Sequence, residues 1–460
     1  MYIIIYLTLE HIDQCVVDKA FVINYCFTSE VKQYTATHNE SLHTQIYDTI
    51  VHNFEVDFPH YMDELRTQRS LAAIQSRVSV ANRPELPTIE MLGNFNFPGD
   101  YAYLRPPHID QFFFQVSFGA YDPALDPQRL AEGRNNCGFM MFGNQNMMVR
   151  MWGKQTISTD GTFKVVPAPF YQLTTINFFE TNAAHVRRMF CGVFVLMTHK
   201  TRFLYDRVLN YLRDWATQRG LDANPAWRRA IMDDESAMVS AIRAFSGNTQ
   251  PTLCFFHFGQ TVNRNVASNG LMRVFKDKES LFHNLVQKIK ALAFLPVHSV
   301  LNSFNEIIAG EDLQQARVSL LDWQDDPQAQ PINLTEGFDE FIQWFRNNYL
   351  TEQRIPFWNV SSWQDLRTNN DVEGFHHTLS LKMGPIERTF WPFVTKLREM
   401  QEVSDRLYRQ MHQGAVMRHR SRNYQELENR IAEAKQHYAE DHDTIRFLSR
   451  ISYLIGTGLN

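Results

Sequence analysis

The sequence predicts an α/β fold on a mixed sheet with an antiparallel start and a parallel continuation. Three observations carry that reading. Three strand-like segments follow one another after residue 139, helix and strand signals then alternate, and a helical pattern runs from about residue 276 to 363.

The first strand is expected over residues 155–163, passing through Asp160. Tyr171 to Glu180 is rich in β-branched and aromatic residues and reads as the second. Met189 to Met197 is a continuous apolar run of strand length, suited to a sheet covered on both faces. Thr201 to Arg219 then has Leu204, Val208, Leu209 and Leu212 at helical spacing, with Gly220 just past its end. A short strand is expected at Arg229–Asp233, a helix at Ser236–Phe245, a strand at Thr252–Phe256 and a helix at Gly259–Leu271. Strands in this order make a ribonuclease-H-like mixed five-stranded sheet. Its first and fourth strands lie side by side, so Asp160 and Asp233 can meet. Phe338, Phe341, Ile342 and Phe345 mark the stretch 276–363 as an α-helical insertion, and a helix bearing Glu373 follows it.

Before this region, Tyr61 to Asn82 reads as a polar-faced helix with Leu65, Leu71, Ala72 and Ile74 apolar, and a proline-punctuated linker follows. Residues 96–136, rich in proline, glycine and aromatics, are expected to form loops with short strands. The expected organisation is an N-terminal remnant over 1–60, a helical and loop region over 61–138, a main domain over 139–385 and a helical C-terminal region over 386–460, with α+β character before residue 139. Met1 to Leu9 reads as a strand or the ragged start of a gene model. It lacks the basic n-region of an export signal and is followed at once by Glu10 and Asp13.

The 460 residues are 44% hydrophobic and 21% charged, as in soluble globular proteins, and no apolar run approaches the roughly 20 residues that span a bilayer. Five scattered cysteines suit a reducing compartment. A net charge of −5 excludes polyanion binding by bulk charge, although an enzyme acting on nucleic acid needs basic residues only along the strand's track.

Three acidic residues, Asp160, Asp233 and Glu373, sit in local signatures that suit a two-metal site. Magnesium prefers oxygen ligands, and two ions roughly 3.5–4 Å apart align the attacking and leaving oxygens of a phosphodiester. Gly161 lets the backbone and a ligand come close beside Asp160. Strand alternation sends Asp233 and Asp234 to opposite faces, leaving Asp233 as the candidate and Glu235 as a helix-start acid. On a helix, Glu373 shares a face with Asn369, Asn370, His376 and His377. Asn370 and Glu373 also have the spacing of a capping box, and that reading stays open. Arg406, Arg409, Arg418, Arg420 and Arg422 form an acid-free basic stretch that could neutralise phosphates or simply be solvated helix surface. Trp363, Phe390 and Trp391 could stack on exposed bases, though such aromatics are more often core.

Several of these motifs together resemble the catalytic domain of Mutator-like element (MULE) transposases. The resemblance runs through Asp160-Gly161-Thr162-Phe163-Lys164-Val165-Val166-Pro167, Ile231-Met232-Asp233, Cys254-Phe255-Phe256-His257-Phe258 and Asn369-Asn370 with Glu373-Gly374-Phe375-His376. It spans roughly residues 139–385. It implies a nuclear DDE-type transposase that uses two Mg²⁺ or Mn²⁺ ions on Asp160, Asp233 and Glu373. Such an enzyme cleaves double-stranded DNA at transposon ends and joins the ends to target DNA. Joining two ends in one reaction implies a homo-oligomer in the active complex. A domesticated or decayed, DNA-binding derivative without catalysis is the alternative.

The resemblance also brings a C-x-x-H pair, Cys254 and His257, beside Asn370 and His377 as auxiliary residues near the site. As chemistry the pair is half a zinc site, since a closed structural site needs four ligands. Whether Zn²⁺ binds stays open; the other reading makes Cys254 a buried small hydrophobe and His257 a polar neighbour of the active site. Relatives often carry an N-terminal FLYWCH-type zinc finger. Cys15, Cys26 and His38 faintly resemble its tail, but Glu40 stands where a second histidine is expected, so the finger is read as degenerate or lost.

Overall fold

The computed structural model describes residues 19–37, 43–81, 85–101, 113–122, 128, 131, 134–163, 166–324, 333–363, 374–375, 378–379, 381, 390–415 and 422–458. Met1 to Leu9, Cys15 and His38 lie outside the described residues. The chain divides into two compact units, Met1–Pro87 with Ile386–Lys396, and Thr88–Pro385 with Leu397–Asn460.

The described part of the first unit is helical. Helices α1 (Lys19–Thr37), α2 (His43–Asp57) and α3 (Gln68–Ala81) bury Ile23, Phe27, Val31, Ile50, Phe54 and Leu71 in one cluster. Cys26 lies on α1 and packs against that cluster. Phe390 and Trp391 are buried, and the Trp391 indole donates to the Glu85 carbonyl at 3.3 Å. These two rings are core and present no stacking surface.

The second unit is organised by a sheet of seven strands, where five were expected. Strands β1 (Phe113–Ala120) and β2 (Cys137–Asn144) pair antiparallel from Phe113↔Asn144 to Ala120↔Cys137. Helix α4 (Gln145–Trp152) follows, then β3 (Thr156–Thr162), β4 (Gln172–Thr181), β5 (Arg187–Met197), helix α5 (Arg202–Gln218) and β6 (Arg229–Met232). Helix α6 (Ser236–Phe245), β7 (Gln250–Leu253) and helix α7 (Phe255–Ser268) complete the order. Across the sheet the strands run β1-β2-β5-β4-β3-β6-β7. The two extra strands add to the β5 edge, so the strand β1 of the expected N-terminal region belongs to the main sheet. Strand β2 crosses the boundary expected at residue 139.

Local sequence explains these elements. β5 lies between β2 and β4 and is buried from Phe190 to Met197, which is why it reads as an uninterrupted apolar run. Where Gly192 bulges out of the β4 pairing, a Cβ would overlap the Met151 side chain of α4, so no larger residue fits the close approach. α5 is capped by Thr201, whose hydroxyl accepts from Leu204 N at 3.3 Å, and Gly220 beyond its end has φ +73°.

Two expected elements are corrected. The helix expected over Tyr61–Asn82 is divided into a 3-10 turn at Pro59–Glu64 and α3 from Gln68, with Leu65 between them in extended backbone. The strand expected over Thr252–Phe256 ends at Leu253, and Phe255 and Phe256 open α7 instead of closing the strand. Phe255, Phe258, Val262 and Val266 are its buried stripe at helical spacing, and that packing overrides the β-propensity of the aromatic run.

Helix α8 (Met272–Lys276) follows, and the stretch from about 276 to 363 carries α9 (Leu281–Ala291), α10 (Val300–Ala309), α11 (Glu311–Gln324), α12 (Leu334–Tyr349) and α13 (Ile355–Trp358). Phe338, Phe341 and Phe345 are fully buried on α12, and Phe258 stacks on Trp358 at 4.9 Å. Helices α14 (Phe390–His412), α15 (Arg422–Asp441) and α16 (Thr444–Gly458) follow, and the division between the two units falls inside α14. Among the described residues, no helix is long and apolar enough to cross a membrane.

Candidate active site at the ends of two parallel strands

β3 pairs in parallel with β6 through Thr156↔Arg229, Ile157↔Ala230 and Ser158↔Ile231. Continued by two residues, that register sets Asp160 opposite Asp233, which directly follows β6. Directly paired residues send their side chains to the same face, so the two carboxylates share one. Asp160 also pairs with Thr175, and Thr175 with Phe194, extending the row across the antiparallel half of the sheet.

The two acids differ in setting. Asp160 is 8% exposed, and its Oδ1 accepts the Gly161 N–H at 2.7 Å. Asp233 is more open, with a side chain 41% exposed, and its Oδ1 pairs with Nδ1 of His257. His257 reaches it from the first turn of α7. Neither contact exhausts a carboxylate's acceptor sites, and both groups are the hard oxygen donors that a divalent cation of the magnesium type prefers. The donor set therefore fits such an ion. Among the described residues, no group of three or more His, Cys, Asp or Glu side chains could hold a metal.

Glu373, Asn370 and His377 lie outside the described residues. The Phe375 ring stacks on Phe194 at 6.0 Å and 23°. Since Phe194 belongs to the Asp160–Thr175 row, Phe375 lies over the face that bears Asp160.

The neighbours of Asp233 divide by role. Asp234 accepts from Arg354 at 3.0 and 2.5 Å, which commits it to an ion pair with the loop before α13. Glu235 is the N-cap residue of α6 without a side-chain capping bond, and stands 3.8 Å from Lys200. Burial pushes the Glu235 carboxyl above its usual range; the Tyr205 hydroxyl and Lys200 oppose that, and the Asp233 charge adds to it. Gly161 does not have the expected role. A Cβ there would point toward Gln172, 3.4 Å from its Oε1, on the face opposite Asp160.

Cys254 is fully buried with Phe179 and Ile231, as a small hydrophobe is, and stands at the N-cap position of α7 without a side-chain capping bond. His283 is occupied elsewhere, its Nδ1 donating to the Phe275 carbonyl at 2.7 Å. Of the basic stretch, Arg406 and Arg409 are exposed on α14, and Arg409 lies 3.2 Å from Asp405. Arg418 and Arg420 lie outside the described residues, as does the side chain of Arg422. The His257–Asp233, Arg354–Asp234 and Lys200–Glu235 pairs carry no local sequence signal, because each joins segments brought together only by the fold.

No curated protein matches the chain. Residues 156–261 match the model of the MULE transposase domain, a span that begins with β3 and ends inside α7. Asp160, Asp233, Cys254 and His257 all fall within it. The chain thus carries a MULE transposase domain, the family its motifs resemble.

Proposed function

We propose that the protein is a DDE-type DNA transposase, with a ribonuclease-H-like core formed by β3–β7, that cleaves and joins DNA phosphodiesters at the Asp160–Asp233 site. The observation that carries this reading is the parallel register of β3 and β6, which sets these two acids side by side at the carboxyl ends of neighbouring strands. Ligand sites in open α/β sheets favour that end. Support for Glu373 as the third acid comes from Phe375, two residues on in the sequence, which stacks on Phe194 over the face that bears Asp160.

Asp160, Asp233 and Glu373 would hold two Mg²⁺ or Mn²⁺ ions, whose chemistry is to orient the attacking oxygen and stabilise the charge that grows on the leaving one. The chain's own residues prepare that arrangement. Gly161 N–H fixes the Asp160 carboxylate, and His257 fixes that of Asp233. Asp160 is 8% exposed, and Asp233 is more open to solvent. Water would cleave a strand at the transposon end, and the 3′-hydroxyl so released would attack target DNA at the same site. A homo-oligomer acting in the nucleus fits the joining of two ends.

The test is nicking and strand transfer on double-stranded DNA in Mg²⁺ or Mn²⁺. Asp160→Asn is expected to lower the rate by about a thousandfold, equivalent to roughly 4 kcal/mol. Activity that survives Asp160→Ala sinks the assignment, and a parent chain that binds DNA but neither nicks nor joins it marks a decayed derivative.

A further inference from the structure

At the end of the sheet where the carboxylates lie, two aromatic rings stand in solvent. Phe163, just past β3, is 43% exposed, and Tyr171, just before β4, is 57% exposed. Phe178 and Phe194, inside the neighbouring strands, are fully buried. The Phe163 and Tyr171 rings approach to 5.2 Å at 52°, so together they form an open, tilted pair. Lys200, beyond the end of β5, sets its ammonium 4.2 Å from the Phe163 ring centroid. The same ammonium is 3.8 Å from Glu235 Oε2, two residues past Asp233.

We propose that Phe163, Tyr171 and Lys200 form a stacking platform for an unpaired nucleobase of the DNA strand that enters the carboxylate site. The proposal rests on the reading of Asp160 and Asp233 as the cleavage site. Singly exposed apolar side chains need no explanation, but a paired aromatic surface with a cation on it matches the two demands of single-stranded DNA. The rings offer π-faces that any base can use, and Lys200 offers charge complementary to the adjoining phosphate. Placement fits as well. Phe163 follows Thr162, the last residue of β3, so it stands at the end of the sheet, about 10 Å along the chain from Asp160. At roughly 3.4 Å per nucleotide along one strand, a base on the platform lies within about three nucleotides of a phosphate at the carboxylates.

The experiment uses the full chain in EDTA, so that no cleavage occurs, with a single-stranded DNA oligonucleotide carrying 2-aminopurine, whose fluorescence is quenched by stacking. The expected result is quenching on binding, with Phe163→Leu and Tyr171→Leu each weakening affinity about 5- to 150-fold and losing the quench. Tyr171→Phe keeps the ring and is expected to bind as the parent does, which separates loss of stacking from loss of fold. Unchanged affinity and quench in both leucine variants overturn the platform. So does an equal loss in Tyr171→Phe and Tyr171→Leu, or an equal effect with the same sequence as a fully paired duplex. Nicking by Asp160→Ala is scored separately in Mg²⁺, so failure of the cleavage reading and failure of the platform give different results.

Discussion

The two faces of the central sheet are made from alternate residues of the same strands, yet they do different work. One face turns Ile157, Ile176, Phe178, Val193, Val195, Ala230 and Met232 into the main core, packed with Leu204, Val208 and Leu212 of α5. The other carries Ser158, Asp160, Thr175, Asn177 and Phe194 and receives Phe375. A period of two lets the packing face hold the strands rigid while the opposite face positions polar groups. Neighbours in sequence thus take opposite roles, with Ile157 in the core and Ser158 and Asp160 on the other face.

The largest predicted effects test that division. Asp160→Asn is expected to remove about three orders of magnitude of cleavage while leaving the unfolding midpoint near that of the parent. Phe178→Ala, on the packing face, should do the reverse. It empties a fully buried ring site and is expected to cost about 3–5 kcal/mol in denaturant unfolding. The folded fraction should retain the parent's cleavage rate per molecule. If both variants lose stability alike, the two faces are not separate in function.

Much of this arrangement is legible in the sequence because it rests on short-range pattern. β3 to β6 and α5 stand out through apolar runs, helical spacing and the Thr201 and Gly220 boundaries, and the strand order sets Asp160 beside Asp233. β1 and β2 are harder to read: their glycines and aromatics resemble loop composition, and only pairing with each other and with β5 makes them strands. The β7–α7 boundary is obscured because Cys254-Phe255-Phe256 has strand propensity, whereas Phe255, Phe258 and Val262 mark a helix once their burial is known. Partners such as His257 for Asp233 and Arg354 for Asp234 depend on long-range geometry that no local pattern encodes.

The packing side also holds a buried cation. Lys290 on α9 is 6% exposed, donates to Asn263 Oδ1 at 2.7 Å, and has its ammonium 4.9 Å from the Phe275 ring centroid. Burial lowers its pKa to about 8 from 10.5. The folded state therefore releases its proton first, and the unfolded chain binds more protons between about pH 8 and 10.5. Stability from this residue should rise with pH through that window, by on the order of 3 kcal/mol, and the cost is fully present below pH 8. Lys290→Met is expected to stabilise the protein by about 1–2 kcal/mol at pH 7, after loss of the Asn263 bond, and to remove the alkaline gain. Urea titrations at pH 7 and pH 10 check both, and a parent whose stability does not rise across that range contradicts the assignment.

A smaller effect is expected where Phe375 meets the sheet. Phe375→Leu keeps apolar volume over Phe194 but removes the ring stack, worth about 1 kcal/mol. Under the proposed function, in which Glu373 is the third acid and the stack helps to position it, cleavage should fall about fivefold with little change in global unfolding. A Phe375→Leu rate equal to the parent's would show that Phe375 does not position Glu373.

The smallest predicted stability effect comes from the neighbouring acids Asp233 and Asp234. Asp234 is bound bidentately by Arg354, with both side chains about one-third exposed, and the ion pair raises the Arg354 pKa above its usual value. Partly exposed pairs of this kind contribute at most about 1 kcal/mol and are weakened by salt. Asp234→Asn is therefore expected to lower stability by less than that, with a smaller loss in 1 M salt than in 0.1 M, and to leave nicking unchanged. Under the proposed function Asp233→Asn should remove nicking at nearly unchanged stability, because its side chain is 41% exposed. Equal loss of nicking in the two variants would mean that the β6 register does not select Asp233, and the Asp160–Asp233 pairing would fall with it.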